Sequence, residues 1–309
     1  MSQRIFIDGQ AGTTGLQIQE RLAGRGDLVL IELNDAERKN PARRAEALNE
    51  AEIAILCLPD GAARESVSLI RNNKTKVIDA SSAHRTDPSW VYGLAELAPG
   101  QSERIANAAR VTNPGCYPTG AILLLAPLVR AGIVPPDYPV TVNAVSGYTG
   151  GGRKLIEQME NPEGPDGLKT AYRVYGLGLE HKHVPEMQVH SGLKHRPLFV
   201  PSYGRFPKGM IVQVPLLARL LRAGTTAATV HRALSEAYAG ARFVKVHPLL
   251  PPAEAGTLDG DSLAGRDDAE LSVFHDKRGE QILLAAVLDN LGKGASGAAV
   301  QNLDLMLGR

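Results

Sequence analysis

Residues 113–118 read NPGCYP, so Cys116 follows a Pro-Gly turn and stands just before the apolar run TGAILLLAPLV. A helix opening near Pro118 or Thr119 would leave unfilled N–H groups beside the thiol. Such a terminus stabilises a thiolate and draws a cysteine pKa from about 8.5 toward neutrality. That setting suits a nucleophile; a small hydrophobe tucked into a turn is the bland alternative. The second cysteine, Cys57, lies in the apolar segment IAILCLP and reads as core. A nucleophile needs a base, and EHKHVPEM places His181, His183 and Glu186 together. Strand-like spacing would send the two histidines to one face. One of them could polarise or protonate, and Glu186 could orient a histidine or a substrate group. His-x-His can ligate zinc, but no further ligands at recognisable spacing accompany it, so no metal is expected. His84, His190, His195, His231, His247 and His275 carry no comparable context and read as surface or satisfied structural histidines.

Three segments could hold anions. GQAGTTG sets Gly9, Gly12 and Gly15 between a first strand and a first helix. Small residues let backbone approach a pyrophosphate, and the helix start supplies free N–H groups and partial positive charge. A glycine-rich packing turn is the weaker reading. DASSAHR carries Ser81, Ser82 and Arg85 after a strand, and SGYTGGGRK ends in Arg153 and Lys154. Hydroxyls with a bidentate arginine suit phosphate or carboxylate. Arg85 ranks above Arg153 because it follows a sheet strand on the expected ligand edge. Past the second strand, Glu32 and Asp35 favour a free ribose 2′-hydroxyl, whereas Arg38 and Lys39 favour a 2′-phosphate. The residues alone leave NAD against NADP open.

The elements that must position these groups follow from periodicity. RIFIDG, LVLIEL, EIAILCLP and KVIDAS read as strands, the apolar runs as parallel strands covered on both faces. GLQIQERLAGRG, PARRAEALNEA and GAARESVSLIRNN read as the helices between them. This alternation predicts a doubly wound, Rossmann-type parallel sheet. Beyond residue 140, VTVNAVSG, PLFVPSYGRF, GMIVQVPLLA, FVKVHPLL, ELSVFHD and QILLAAVLD read as strands, with the hairpin connection DKRGE before the last. TTAATVHRALSEAYAG is a capped helix among them. An α+β domain with a largely antiparallel sheet is expected. The helical tail GKGASGAAVQNLDLMLG should pack back onto another element. The expected domains are 1–115, completed by 289–309, and 116–288.

Bulk properties fit. The chain is 43% hydrophobic and 22% charged with net charge +1, so no whole-chain electrostatic case exists for nucleic acid or an anionic membrane. Two cysteines form no disulfide framework, the opening MSQRIFIDGQ meets an aspartate before any signal core, and no apolar run is long enough to span a bilayer. A cytoplasmic protein without membrane attachment is expected.

Taken in order, GQAGTTG, DASSAHR, NPGCYPTG, SGYTGGGRK, HKHVPE and GKGASGAAVQNLDLM resemble the N-acetyl-gamma-glutamyl-phosphate reductases of the semialdehyde dehydrogenase family, in their short-form subgroup. The resemblance implies NADP as cofactor, an acyl phosphate as substrate and a homo-oligomer, dimer or tetramer. It implies that Gly9, Gly12, Thr13, Thr14 and Gly15 hold the pyrophosphate, with Arg38, Ser81, Asn290, Gly292 and Lys293 also on the cofactor. Cys116 would be the nucleophile and His183 the acid/base, with His181 exchangeable for it. Arg85, Ser82, Glu186 and Arg153 would contact substrate. The rivals are a sister reductase acting on aspartyl or carrier-linked aminoadipyl phosphate, a cysteine hydrolase using Cys116 and His183, and a cofactor-binding regulatory protein.

Overall fold

The computed structural model describes residues 2–309. Contacts divide the chain into two compact units. One runs to Ala95, resumes over Gly100–Pro114 and closes with Ala295–Arg309; the other takes Glu96–Pro99 and Gly115–Gly294.

The first unit contains β1 (Gln3–Asp8), α1 (Thr13–Leu22), β2 (Leu28–Ile31), α2 (Pro41–Glu50), β3 (Ile53–Leu56), α3 (Asp60–Leu69), β4 (Lys76–Asp79), β5 (Val91–Tyr92), α4 (Gln101–Ala106) and β6 (Arg110–Thr112). All strand pairs are parallel, in the order β2-β1-β3-β4-β6-β5. Alternation along each strand sorts side chains between two cores. Ile5, Ile7, Ile53, Ile55 and Ile78 pack on one face, while Phe6, Ala54, Leu56 and Val77 pack on the other. One expectation changes: β2 is an edge strand, with Val29 48% exposed, so its apolar run is not covered on both faces. Pro41 opens α2 where its missing N–H is not needed, and the Asn40 side chain accepts the Ala42 N–H.

The second unit contains α5 (Cys116–Arg130), β7 (Thr141–Gly147), α6 (Gly152–Glu160), β8 (Tyr172–Val174), α7 (His183–Ser191), β9 (Leu198–Gly204), β10 (Met210–Leu217), α8 (Ala227–Ala237), β11 (Val244–Val246), β12 (Ala269–His275) and β13 (Gln281–Leu288). Its sheet runs β11-β12-β13-β10-β7-β9-β8. The pairs β7–β9 and β11–β12 are parallel and the others antiparallel. Helix α5 is buried from Tyr117 to Leu128 and packs on β10 and β13. Pro118 sits in its first turn, where no hydrogen bond is lost. Pro127 lies inside the helix and cannot donate to the Leu123 carbonyl. The Tyr238 hydroxyl donates there instead at 2.6 Å, satisfying the freed acceptor.

The tail forms a single π-type turn over Gly292–Ser296 and then α9 (Gly297–Met306), which packs in the first unit against α1, α4 and β4. Residues 289–294 stay with the second unit, so the return lies later than residue 289. Their polar groups are committed there. Gly209 N–H donates to Asn290 Oδ1 at 2.9 Å, Gly265 N–H donates to Asp289 Oδ2, and Lys293 Nζ holds both Glu96 oxygens at 2.8 and 2.7 Å. No helix among the described residues is long and apolar enough to cross a membrane.

Candidate active site

In the first unit the glycine loop joins β1 to α1. Gly9 has φ +89°, and a Cβ there would run into the Cys57 carbonyl. A Cβ on Gly15 would run into the backbone of Gly9 and Gln10. Gly12 caps α1 without a side chain and donates its N–H to the Gly9 carbonyl at 3.0 Å. The N–H groups of Thr13, Thr14 and Gly15 meet no acceptor among the described residues. A close-packed loop that aims open donors from a helix start fits a dinucleotide pyrophosphate. Beneath it, Asp8 ends β1 in a buried network: Arg44 Nη2 donates to Asp8 Oδ2 at 2.9 Å and Ser66 Oγ donates to the same oxygen at 2.7 Å. No sequence motif marks this support.

The segment after β4 is knotted on Asp79. Ser81 donates its N–H and hydroxyl to the two Asp79 oxygens at 2.9 and 2.8 Å. His84 Nδ1 lies 2.6 Å from Asp79 Oδ2, and its ring stacks on Trp90 at 4.2 Å. Of the two expectations for His84, surface or satisfied structural histidine, the buried contact to Asp79 gives the second. Ser82 donates to Asp60 at the start of α3. Arg85 is buried and gives Nε to the Asn113 carbonyl at 3.0 Å and Nη2 to the Ala80 carbonyl at 3.1 Å. It thus braces the strand end that leads to Pro114. Past β2, Arg38 pairs with Asp35, while its Nε is buried and makes no hydrogen bond among the described residues.

In the second unit Cys116 is the first residue of α5. Gly115, its extended N-cap, donates its N–H to Glu186 Oε1 at 2.7 Å. Thr119 N–H and hydroxyl both reach the Gly115 carbonyl at 2.9 Å. Glu186 therefore clamps the turn that aims the thiol. The Tyr117 N–H, in the first turn, has no acceptor among the described residues. A Cβ on Gly294 would lie 2.8 Å from Cys116 Cβ, so that glycine lets the chain pass directly over the cysteine.

The segment HKHVPE is not strand-like: His183 opens helix α7. The proline in the first turn, the acid behind it and the left-handed Gly192 at the end are the helix signals in the sequence. The helix still brings the two rings together, centroids 4.7 Å apart, by folding His181 over its own first turn. The His183 N–H donates to His181 Nδ1 at 3.2 Å, which leaves the neutral His181 ring its proton on Nε2. Burial, then the Lys182 charge, hold His181 below its ordinary pKa against the opposing Glu186. His183 is buried, with its ring 5.9 Å from Tyr117.

Arg153, Asn290, Gly292 and Lys293 are the remaining residues expected on substrate or cofactor. Arg153 is 83% exposed on α6 and pairs with Glu157, one turn on. Asn290 bridges Gly209 and, through Nδ2, Thr149 Oγ1 at 3.0 Å. Gly292 lies against the Arg266 carbonyl, where a Cβ would collide. Lys293 is fully buried against Glu96 beside the Phe243 ring; burial holds its pKa down against the opposing Glu96 charge. These residues shape the second unit, and their polar groups are engaged within it. Among the described residues no group of three or more His, Cys, Asp or Glu could hold a metal ion.

A parallel nucleotide-binding sheet in one unit, and in the other a cysteine at a helix start whose N-cap is held by a carboxylate and whose neighbour Tyr117 packs against two histidines, define a dehydrogenase that works through a covalent acyl-enzyme. Residues 8–107 match the semialdehyde dehydrogenase NAD binding domain and residues 116–290 the semialdehyde dehydrogenase dimerisation domain; the chain belongs to that family. Relatives named N-acetyl-gamma-glutamyl-phosphate reductase include one from Burkholderia ambifaria, 59% identical over 98% of this chain and 96% of that protein. Another, from Rhizobium meliloti, is 56% identical over 99% of each. The fold is shared with aspartate semialdehyde dehydrogenase II of Vibrio cholerae, at TM-score 0.73 and 16% identity over 100% of this chain and 99% of that one.

Proposed function

We propose that this protein reduces N-acetyl-L-glutamyl 5-phosphate to N-acetyl-L-glutamate 5-semialdehyde and phosphate, the reductive step of arginine biosynthesis. The observation that carries this reading is Cys116 at the start of α5, held by Glu186 through the Gly115 N–H, in a chain 59% identical to a reductase of that name. The Cys116 thiolate attacks the acyl carbon, the C–O bond to phosphate breaks, and a thioester forms. A nicotinamide cofactor, its pyrophosphate held by the glycine loop, would supply the hydride for this carbon. The open Tyr117 N–H and the His181 Nε2–H are the donors available to the oxygen that gains charge. Collapse of the thiohemiacetal frees the aldehyde and returns the thiolate. His181 carries the open ring proton, and buried His183 positions it through the backbone N–H.

Gly9, Gly12, Thr13, Thr14 and Gly15 would hold the cofactor's pyrophosphate. The choice of NADP rests on Arg38, whose unused Nε is a donor for a 2′-phosphate, against Glu32, exposed beyond β2. The subunit acts as a homo-oligomer joined through the second unit, the part that matches a dimerisation domain.

The test is the reverse reaction: N-acetylglutamate semialdehyde with phosphate, and NADP or NAD, followed by nucleotide absorbance. NADP-dependent turnover of the N-acetylated aldehyde, at least about 100-fold above that of aspartate semialdehyde, is expected. Equal or greater turnover of aspartate semialdehyde would overturn the substrate assignment, and a preference for NAD would overturn the cofactor choice.

A further inference from the structure

One wall beside Cys116 has a fixed hydrogen-bond polarity that the reaction does not use. Tyr117, next to Cys116 in α5, is buried, and its hydroxyl donates to the Ser202 carbonyl at 2.8 Å. That uses its single proton, so its oxygen can only accept. Tyr175, just beyond β8, donates to that oxygen at 3.3 Å. The Tyr175 proton is therefore spent too. Its own oxygen is left with acceptor capacity alone, and no donor among the described residues reaches it. The ring is held at 5.8 Å from both His181 and Tyr203. Burial, and after it the Cys116 charge, push the Tyr175 phenol up to about 12, so it stays protonated at neutral pH.

An acceptor in a half-buried wall pairs only with a donor. On the substrate assigned above, the carboxylate and the acetyl carbonyl are acceptors, and the sole N–H is that of the acetamido group. We infer that Tyr175 is a specificity-determining residue whose phenol oxygen accepts the amide N–H of an N-acylated amino-acid substrate. The inference rests on the proposed reductase reading and adds to it the group that senses N-acylation. A free ammonium at that place would have to be desolvated against a single neutral acceptor, which is unfavourable. In the relay Tyr175 → Tyr117 → Ser202 carbonyl both hydroxyl protons are spent inside the wall, so the Tyr175 oxygen meets substrate as an acceptor.

The experiment compares two aldehydes that differ by one atom pair, N-acetylglutamate semialdehyde and its ester counterpart with oxygen in place of the amide N–H. Each is assayed in the reverse reaction with wild type and Tyr175→Phe, with Cys116 alkylation by iodoacetamide followed in parallel. For the wild type, the ester should lower kcat/KM by about tenfold, mostly through KM. Tyr175→Phe should lose about as much on the amide and nothing further on the ester, with its alkylation rate within about twofold of wild type. Equal ester penalties in the two proteins, or a Tyr175→Phe enzyme unchanged on the amide, would overturn the inference and leave the reductase reading standing. A changed alkylation rate would show that Tyr175 acts by shaping the start of α5 and would overturn it as well. No turnover of the amide by the wild type overturns the reductase reading, and this inference with it.

Discussion

Both cysteines sit at the edge of a secondary-structure element beside a glycine, yet they are set up for opposite fates. Cys57 follows β3 in the first unit, and its carbonyl is the surface on which Gly9 rests. Although the residue is not fully shielded from solvent, burial pushes its thiol up to about 12, and the Asp79 and Asp8 charges add to this. Two carboxylates near a desolvated thiol disfavour the thiolate. Cys116 instead opens a helix, in a turn whose N–H is taken by Glu186, and its neighbour Tyr117 packs against His183. The contrast teaches that a glycine beside a cysteine does not distinguish packing from chemistry. What distinguishes them is position: Cys57 is desolvated beside two carboxylates after a strand, whereas Cys116 stands at a helix start.

The largest test of this contrast is Cys116→Ser against Cys57→Ser. The first should lower turnover of the semialdehyde by about 10⁴-fold or more, and the second should leave it within about twofold. Comparable losses would break the contrast. Next, Gly294→Ala should press on Cys116 and reduce kcat by about 10²-fold, since a displacement near 1 Å suffices for that. Its counterpart Gly9→Ala should show instead as a lower melting temperature and weaker nucleotide binding, because φ +89° and the Cys57 carbonyl both resist a side chain. A Gly294→Ala enzyme with full kcat would mean that the tail does not set the thiol's position. A smaller effect, about tenfold in kcat, is expected for Glu186→Ala, with Glu186→Gln largely restored because the amide oxygen can still accept the Gly115 N–H. Equal losses would assign the carboxylate's charge, rather than its hydrogen bond, the main role.

The smallest effect concerns pH. Cys57 is an acid whose folded pKa is raised, so the unfolded chain loses its proton first as pH rises. The stability this contributes is present below the unfolded thiol range near about 8.5 and is lost as pH climbs toward 12. Urea titrations of Cys57→Ser should accordingly show a shallower alkaline fall between about pH 9 and 12 than the wild type. An unchanged slope would refute the desolvated thiol. Native protein treated with iodoacetamide near pH 8 should be modified at Cys116 and spared at Cys57.

Local patterns carried much of the architecture. The strand-helix alternation of the first unit, the β12–β13 hairpin and the Thr226-capped helix α8 all follow from apolar period and turn residues. What stayed illegible was set by pairing partners distant in sequence. The apolar run of β2 gives no sign that it lies at an edge, because exposure depends on neighbours. Helix α6 is masked by the glycine run before it, and α7 by a His-x-His spacing that also suits a strand. Tyr175 carries no spacing signal at all; its hydrogen-bond polarity follows from the Tyr117 hydroxyl of α5, itself tied to the Ser202 carbonyl of β9.

By itself the sequence determined which chemistry was available: a cysteine before a helix, a glycine loop after a strand, and two histidines with an acid. Those depend on residue type and short spacing, which the chain carries locally. Only the tertiary structure decided the employment of each polar group. It turned Arg85, Asn290 and Lys293 inward to satisfy buried partners, left Arg153 in solvent, and fixed the Tyr175 oxygen as an acceptor. A buried polar atom must find a partner wherever the fold supplies one, and that partner is usually far away along the chain.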